Sequence, residues 1–214
     1  REIGPQHCVL ATDFGQLHHP IPPEGLRMFV QMLLEQGISA DDIRTMIAVL
    51  VGFASVACLW WLYFDVVAIA AERRLASVDI EQRNNLARDS FNYFHLPMVA
   101  GIVLLALGLK KSFVDIDAEL KLVASFALFG GVALYLLGHL LFRKRNMGSW
   151  NVQRAVVMVL LLACVPLGVM APAWVSLVTL MSVLLALVTY ETLAFAPWRR
   201  HLRASHEEHH AGKH

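Results

Sequence analysis

Hydrophobic positions in this chain fall into long, almost charge-free runs. From Thr45 to Ala71, bounded by Arg44 and Glu72, the only formally charged residue is Asp65. Ser90 to Leu109 lies between Asp89 and Lys110, and Leu122 to Phe142 lies between Lys121 and Arg143; neither run carries a formal charge, and each holds one histidine, His95 or His139. Ala155 to Trp198 contains only Glu191 as a charged residue, with Pro166 and Pro172 marking a hairpin in its middle. Spanning about 30 Å of hydrocarbon takes roughly 20 helical residues. A core helix of a soluble protein would show a polar stripe at helical period, whereas these runs are apolar on every side. The pattern predicts transmembrane helices over about 46–71, 92–109, 121–142, 154–171 and 174–196. The expected fold is an all-α membrane protein, a polytopic helical bundle of about five transmembrane helices with a short soluble N-terminal segment.

Composition agrees with that pattern. Of 214 residues, 57% are hydrophobic and 16% charged, with a mean hydropathy of +0.55, against about 25% charged residues in an average soluble chain. A soluble globular domain is excluded. Glycine and proline, at 13 and 8, are too few for a collagen or a disordered chain. Cys8, Cys58 and Cys164 are odd in number and lack ligand spacing, which excludes a disulfide scaffold. A net charge of +1 offers no basic face for phosphates, so no nucleic-acid partner is expected. The chain opens on Arg1 rather than Met, so a truncation, a processed product or a partial reading frame is expected, and no apolar segment with a cleavage site opens it, so the helices are expected to be permanent.

Positive charge predicts orientation, because cytoplasmic connections retain Lys and Arg. One set of connections holds twelve: Arg73, Arg74, Arg83 and Arg88, then Arg143, Lys144, Arg145 and Arg154, then Arg199, Arg200, Arg203 and Lys213. The opposite set holds six: Arg1, Arg27, Arg44, Lys110, Lys111 and Lys121. The expectation is a multi-pass protein of the plasma membrane with its N-terminus outside, its C-terminus cytoplasmic and the turn at 171–174 outside. Trp60, Trp61, Tyr63, Trp150, Trp174 and Trp198 fall mostly near the predicted helix ends, as interfacial anchors do.

Three regions follow: a soluble segment over 1–45, a membrane domain over 46–198 and a polar, His-rich cytoplasmic tail over 199–214. In the tail, His206-Glu207-Glu208-His209-His210 matches H-E-x-x-H. A zinc enzyme carries that pattern on a buried helix with a third ligand, so here it reads as solvated tail. In the first region, Ala11-Thr12-Asp13-Phe14-Gly15-Gln16, Pro22-Pro23-Glu24-Gly25-Leu26, Leu33-Leu34, Gly37-Ile38-Ser39 and Ile43-Arg44-Thr45-Met46 resemble the last strand and helix of amidohydrolase-superfamily barrels over about residues 8–46. The resemblance implies that Asp13 stands where that family has a metal ligand and proton shuttle. The remaining ligands and strands of such a barrel are not in the chain, so a remnant without catalysis is expected, with no metal and no cofactor.

Over about 47–198 a second resemblance is carried by Leu59-Trp60-Trp61-Leu62-Tyr63-Phe64-Asp65, Ala87-Arg88-Asp89, Tyr93-Phe94-His95-Leu96-Pro97-Met98-Val99-Ala100-Gly101-Ile102, the run Gly130 to His139, and Phe142-Arg143. These residues are similar to the C-terminal half of the bacterial low temperature requirement protein A family, which implies a multi-pass membrane protein linked to growth in the cold. The amidohydrolase-like stretch stands where that family has its N-terminal membrane half. The chain is accordingly expected to be a fusion or fragment that pairs with itself or with the missing half.

Ionisable side chains inside a bilayer are costly unless paired or hydrated, and are functional candidates by default. Asp65, His95, His139 and Glu191 all fall roughly 5–11 Å from the predicted cytoplasmic boundary at 1.5 Å per residue. Two carboxylates and two imidazoles in one layer suit proton passage, a cation or a polar head group, with Arg88, Asp89, Tyr93 and Arg143 as a cytoplasmic rim. The competing role is interhelical glue, worth about 0.6–2 kcal/mol per contact. The glycines of the membrane domain, with Ala127-x-x-x-Gly131 among them, predict close helix packing. The functional expectation is a non-enzymatic, transport-like membrane protein; the alternative is a membrane-anchored fragment of a metal-dependent amidohydrolase.

Overall fold

The computed structural model describes residues 22–64, 74–75, 77–194 and 196. Asp13, Asp65 and the tail with its H-E-x-x-H pattern lie outside the described residues. The chain divides into two compact units, Arg1–Ile47 and Ala48–His214. Among the described residues every regular element is helical, and the one β contact is an isolated antiparallel bridge between Glu119 and Pro172.

In the first unit, helix α1 (Pro22–Glu35) starts on prolines whose missing N–H groups would be unpaired in a first turn anyway. It ends in a Schellman turn: Gly37 takes φ +82°, its N–H donates to the Leu34 carbonyl, and the Ile38 N–H reaches back to Leu33. Ser39 then caps the start of α2 (Ala40–Phe64), its Oγ accepting from the Asp42 N–H at 3.1 Å. Asp41 and Asp42 add negative charge to the first turn, where the helix dipole favours it. This polar start sets the helix boundary at Ala40, ahead of the position 46 expected from the apolar run alone.

Four more helices of the second unit are, like α2, long and apolar enough to cross a membrane: Gln82–Ser112, Leu122–Met147, Val152–Met170 and Ala173–Ala194. The first of these joins α3 (Ile80–Ala87), a π-helical segment π1 (Arg88–Tyr93) and α4 (His95–Ser112). The next joins α5 (Leu122–Ser125), a π segment π2 (Phe126–Gly130) and α6 (Gly131–Met147). The fourth is α7 (Val152–Ala163) followed by α8 (Val165–Met170), and the fifth is α9 (Ala173–Ala194). Five spans were expected and five are present. The hairpin falls at Ala171–Pro172 alone; Pro166, which lacks an N–H, sits inside the fourth span near the break between α7 and α8.

Helix α6 is central, with ten of its seventeen residues buried. Leu105, Leu128, Phe129, Val132, Leu136, Phe142, Leu161, Leu180 and Leu184 fill the interior, while Phe53, Val99, Val103, Val123, Val156, Val159 and Leu185 stay exposed on outer faces, as lipid contact requires. Glycines let α4 and α6 touch backbone to backbone: a methyl on Gly101 would lie 2.5 Å from the Gly131 carbonyl oxygen, and one on Gly108 would lie 2.5 Å from the Leu128 nitrogen. At one end of the bundle the link between α4 and α5 caps α9, its Ala118 and Ile116 carbonyls accepting from the N–H groups of Ala173 and Trp174. At the other end Gly148, with φ +70°, closes α6, and the Asn151 side chain caps α7 by accepting from the Arg154 N–H. This last turn brings Arg154 into the bundle.

Candidate functional site

Arg154 is the hub of the buried polar groups. It is 5% exposed, and its guanidinium reaches four acceptor atoms on three other helices. Nε and Nη2 grip the Glu191 carboxylate of α9 at 2.8 and 2.7 Å. Nη2 also donates to the Leu62 carbonyl in the last turn of α2 at 3.0 Å. Nη1 donates to His139 Nδ1 on α6 at 2.7 Å. The planar fork of arginine meets a carboxylate in this bidentate way, and a lysine could not reproduce the set. Glu191 Oε1 takes a further bond from Asn151 Nδ2 at 2.9 Å, so one asparagine both caps α7 and positions the carboxylate.

The histidine tautomers follow from their partners. A guanidinium only donates, so His139 Nδ1 accepts, and the neutral ring carries its proton on Nε2. Among the described residues Nε2 meets no hydrogen-bond partner, and the Tyr135 and Tyr63 ring centroids lie 4.6 and 5.7 Å from that of His139. His95 differs. Its Nδ1 donates to the Ser90 carbonyl at 3.0 Å, placed there by π1, and its Nε2 lies 2.9 Å from the Tyr63 hydroxyl. In the neutral ring Nε2 accepts from that hydroxyl; in the protonated ring the bond reverses. Tyr135 donates its hydroxyl to the Leu59 carbonyl at 2.7 Å. Two hydrogen-bonded groups, His95 with Tyr63 and His139 with Arg154 and Glu191, therefore meet at the edge-on contact between Tyr63 and His139.

Of the four residues expected in one layer, His95, His139 and Glu191 converge through Tyr63 and Arg154, and Asp65 lies outside the described residues. Of the expected rim, Asp89 accepts from Arg145 Nε and lies 3.0 Å from its Nη2, with Arg88 3.4 Å away on the other oxygen. Tyr93 is exposed. Arg143 is half-buried, and its Nε has no hydrogen-bond partner among the described residues. Tyr135, His139, Arg143 and Asn146 recur at three- and four-residue spacing and so form one stripe along α6. Asn146 Nδ2 donates to Ser90 Oγ at 2.9 Å and to the Phe142 carbonyl at 2.8 Å.

The sequence places Arg154 and Tyr63 elsewhere and does not single out Asn151. Arg154 was counted among the loop charges and Tyr63 among the interfacial anchors. With Asn151 as N-cap, Arg154 lies in the first turn of α7, three residues inside, and its tertiary partners turn it inward.

The fold and site define a class: a polytopic α-helical membrane protein whose interior holds a hydrogen-bonded ion pair with two histidines. The chain matches the family described as bacterial low temperature requirement A protein (LtrA) over residues 28–189, and it belongs to that family. No curated protein and no solved structure matches it. The match begins at residue 28 and so takes in about half of the stretch that resembles an amidohydrolase, a resemblance that no match supports.

Proposed function

We propose that this LtrA-type membrane protein has a transport-like, non-enzymatic role in which protons pass through the cluster of His95, Tyr63, His139, Arg154 and Glu191. One observation carries the reading: two imidazoles, a phenol and a carboxylate gather inside a membrane bundle in two hydrogen-bonded groups that touch where Tyr63 meets His139, and the bond between Tyr63 and His95 can reverse with protonation. Tyr63 supplies the mobile link, because its hydroxyl either donates to His95 or accepts from it. Arg154 occupies both Glu191 oxygens and His139 Nδ1, which leaves the Tyr63–His95 pair as the point where a proton enters. Asp65, next in sequence to this end of α2, belongs to the same proposal. The protein sits in the plasma membrane with the more positively charged connections cytoplasmic and the N-terminus outside, and it associates with lipid and with itself or a second membrane half.

Proton flux into proteoliposomes tests this, measured across about pH 5.5–8 where histidine protonation changes. Wild-type protein should carry flux, and Asp65→Asn and Glu191→Gln should remove it while the protein stays in the membrane. Wild-type protein without flux at any pH, together with lower melting temperatures for both variants, would leave the cluster as packing and defeat the proposal. A reporter after Lys213 that labels only from outside would overturn the orientation. Metal-dependent hydrolysis abolished by Asp13→Ala would overturn the non-enzymatic reading.

A further inference from the structure

Beside the start of the second span lies a cleft of about 230 Å³ that the proton cluster does not use. It is lined by Arg74, Val78, Gln82, Asn85, Leu86 and Arg145. We infer that this cleft binds the phosphodiester headgroup of an anionic phospholipid. The inference rests on the membrane placement of the bundle and is independent of proton passage.

The chemistry of the lining is that of an anion site. Arg74 and Arg145 supply two guanidinium groups, Gln82 and Asn85 supply amide donors one helical turn apart on α3, and among the described residues no carboxylate lines the space. Arg145 is held in place from outside the cleft: its Nε and Nη2 lie 3.1 and 3.0 Å from Asp89 Oδ2, which leaves Nη1 out of the pair. The segment that carries Arg74, Val78 and Gln82 is held as well. Arg83 Nε donates to the Leu75 carbonyl at 3.0 Å, and Asp79 caps α3 by accepting from the Gln82 N–H at 2.8 Å. A water occupies about 30 Å³ of liquid, so the volume is ample for a phosphodiester. Val78 and Leu86 offer apolar surface to the glycerol and first methylenes.

Depth argues for lipid as the source of the anion. Gln82 is the first residue of the second span, and Arg145 lies two residues before the end of the third at Met147. The connection just beyond presents Trp150, 54% exposed, with Lys144 Nζ 5.4 Å from its ring centroid, a pairing typical of the headgroup level.

The test compares spin-labelled phosphatidylglycerol with spin-labelled phosphatidylcholine in proteoliposomes of the full chain. Wild-type protein should prefer phosphatidylglycerol. Arg74→Gln should lower that preference about fivefold, the equivalent of about 1 kcal/mol for one basic residue near the surface, and Arg74→Lys should keep most of it. Lys111→Gln removes one positive charge at the far end of the same span, outside the cleft, and should leave the preference unchanged. Asn85→Leu, which changes no charge, should also weaken binding and serves if Arg74→Gln fails to insert. Equal losses in Arg74→Gln and Lys111→Gln, or no preference in the wild type, would overturn the site. Displacement of phosphatidylglycerol by inorganic phosphate would assign the cleft to a free anion and overturn the lipid.

Discussion

Arg154 and Glu191 lie 37 positions apart on neighbouring helices and meet as a two-pronged ion pair at 2.8 and 2.7 Å, with side chains only 7% and 15% exposed. A pair this dry is stable only when its other hydrogen-bonding positions are filled. Here Leu62, His139 and Asn151 fill them. The pair thereby ties α2, α6, α7 and α9 to one another at a single level of the bundle.

Removing one partner strands the other in an apolar interior. Arg154→Met and Glu191→Leu are each expected to cost about 3–5 kcal/mol, the usual penalty for breaking a buried pair. The double variant Arg154→Met/Glu191→Leu should recover much of that loss, since no charge is left uncompensated. Thermal melting in detergent reads the outcome; a double variant no more stable than either single one would show that the neighbours of the pair, not the charges, hold the helices.

Close packing of α4 on α6 depends on glycine for space. Gly101→Ala and Gly108→Ala would place a methyl 2.5 Å from backbone atoms that cannot rotate aside, and overpacking of this kind costs about 1–3 kcal/mol. Gly130→Ala should be milder, because its methyl would meet only the Phe126 ring, at 3.3 Å, and a side chain can shift. Melting temperatures of the three variants should rank accordingly.

Five spans were legible in the sequence because a lipid-facing helix must be apolar on every side for its whole length, a demand no soluble element imposes. The ends were less legible: Ala40–Thr45 is polar, yet capping by Ser39 makes it helical. In the site, His139 and Glu191 stood out as ionisable residues in apolar runs, but Arg154 did not. It sits at a helix start, where sequence cannot separate a charge facing water from one turned inward, and the difference lies in the tertiary partners Glu191 and His139. Tyr63 was hidden for the same reason, since the pattern of an interfacial tyrosine and that of a buried hydrogen-bond donor are identical. The pairing of Asp89 with Arg145 joins two spans across 56 positions and has no local signature.

Two tyrosines separate packing from proton transfer. Tyr63→Phe and Tyr135→Phe each delete one hydroxyl, from His95 Nε2 and from the Leu59 carbonyl respectively. Each should cost about 0.5–1.5 kcal/mol. Only Tyr63→Phe removes the hydroxyl partner of His95, so it should abolish proteoliposome flux while Tyr135→Phe retains it. Equal flux in both would mean that protons, if they move, avoid the phenol.

Asn151 combines two jobs that substitution can separate. Its Oδ1 caps α7 by accepting from the Arg154 N–H, and its Nδ2 donates to Glu191. Asn151→Ser keeps a capping oxygen and loses the donor to the carboxylate, at an expected cost of about 1 kcal/mol. Asn151→Asp also keeps the cap but sets a second carboxylate 2.9 Å from the first, where the amide nitrogen had been. Two carboxylates sharing such a site resist ionising together. Asn151→Asp should therefore be the less stable of the two at neutral pH and should gain on the wild type as the pH falls, because taking up one proton removes the repulsion and restores a donor between the two groups. The measurement is the melting temperature of both variants against wild type from about pH 8 down to about pH 5. A gap between Asn151→Asp and wild type that stays constant over that range would show that the side chain at 151 does not face Glu191 in the membrane.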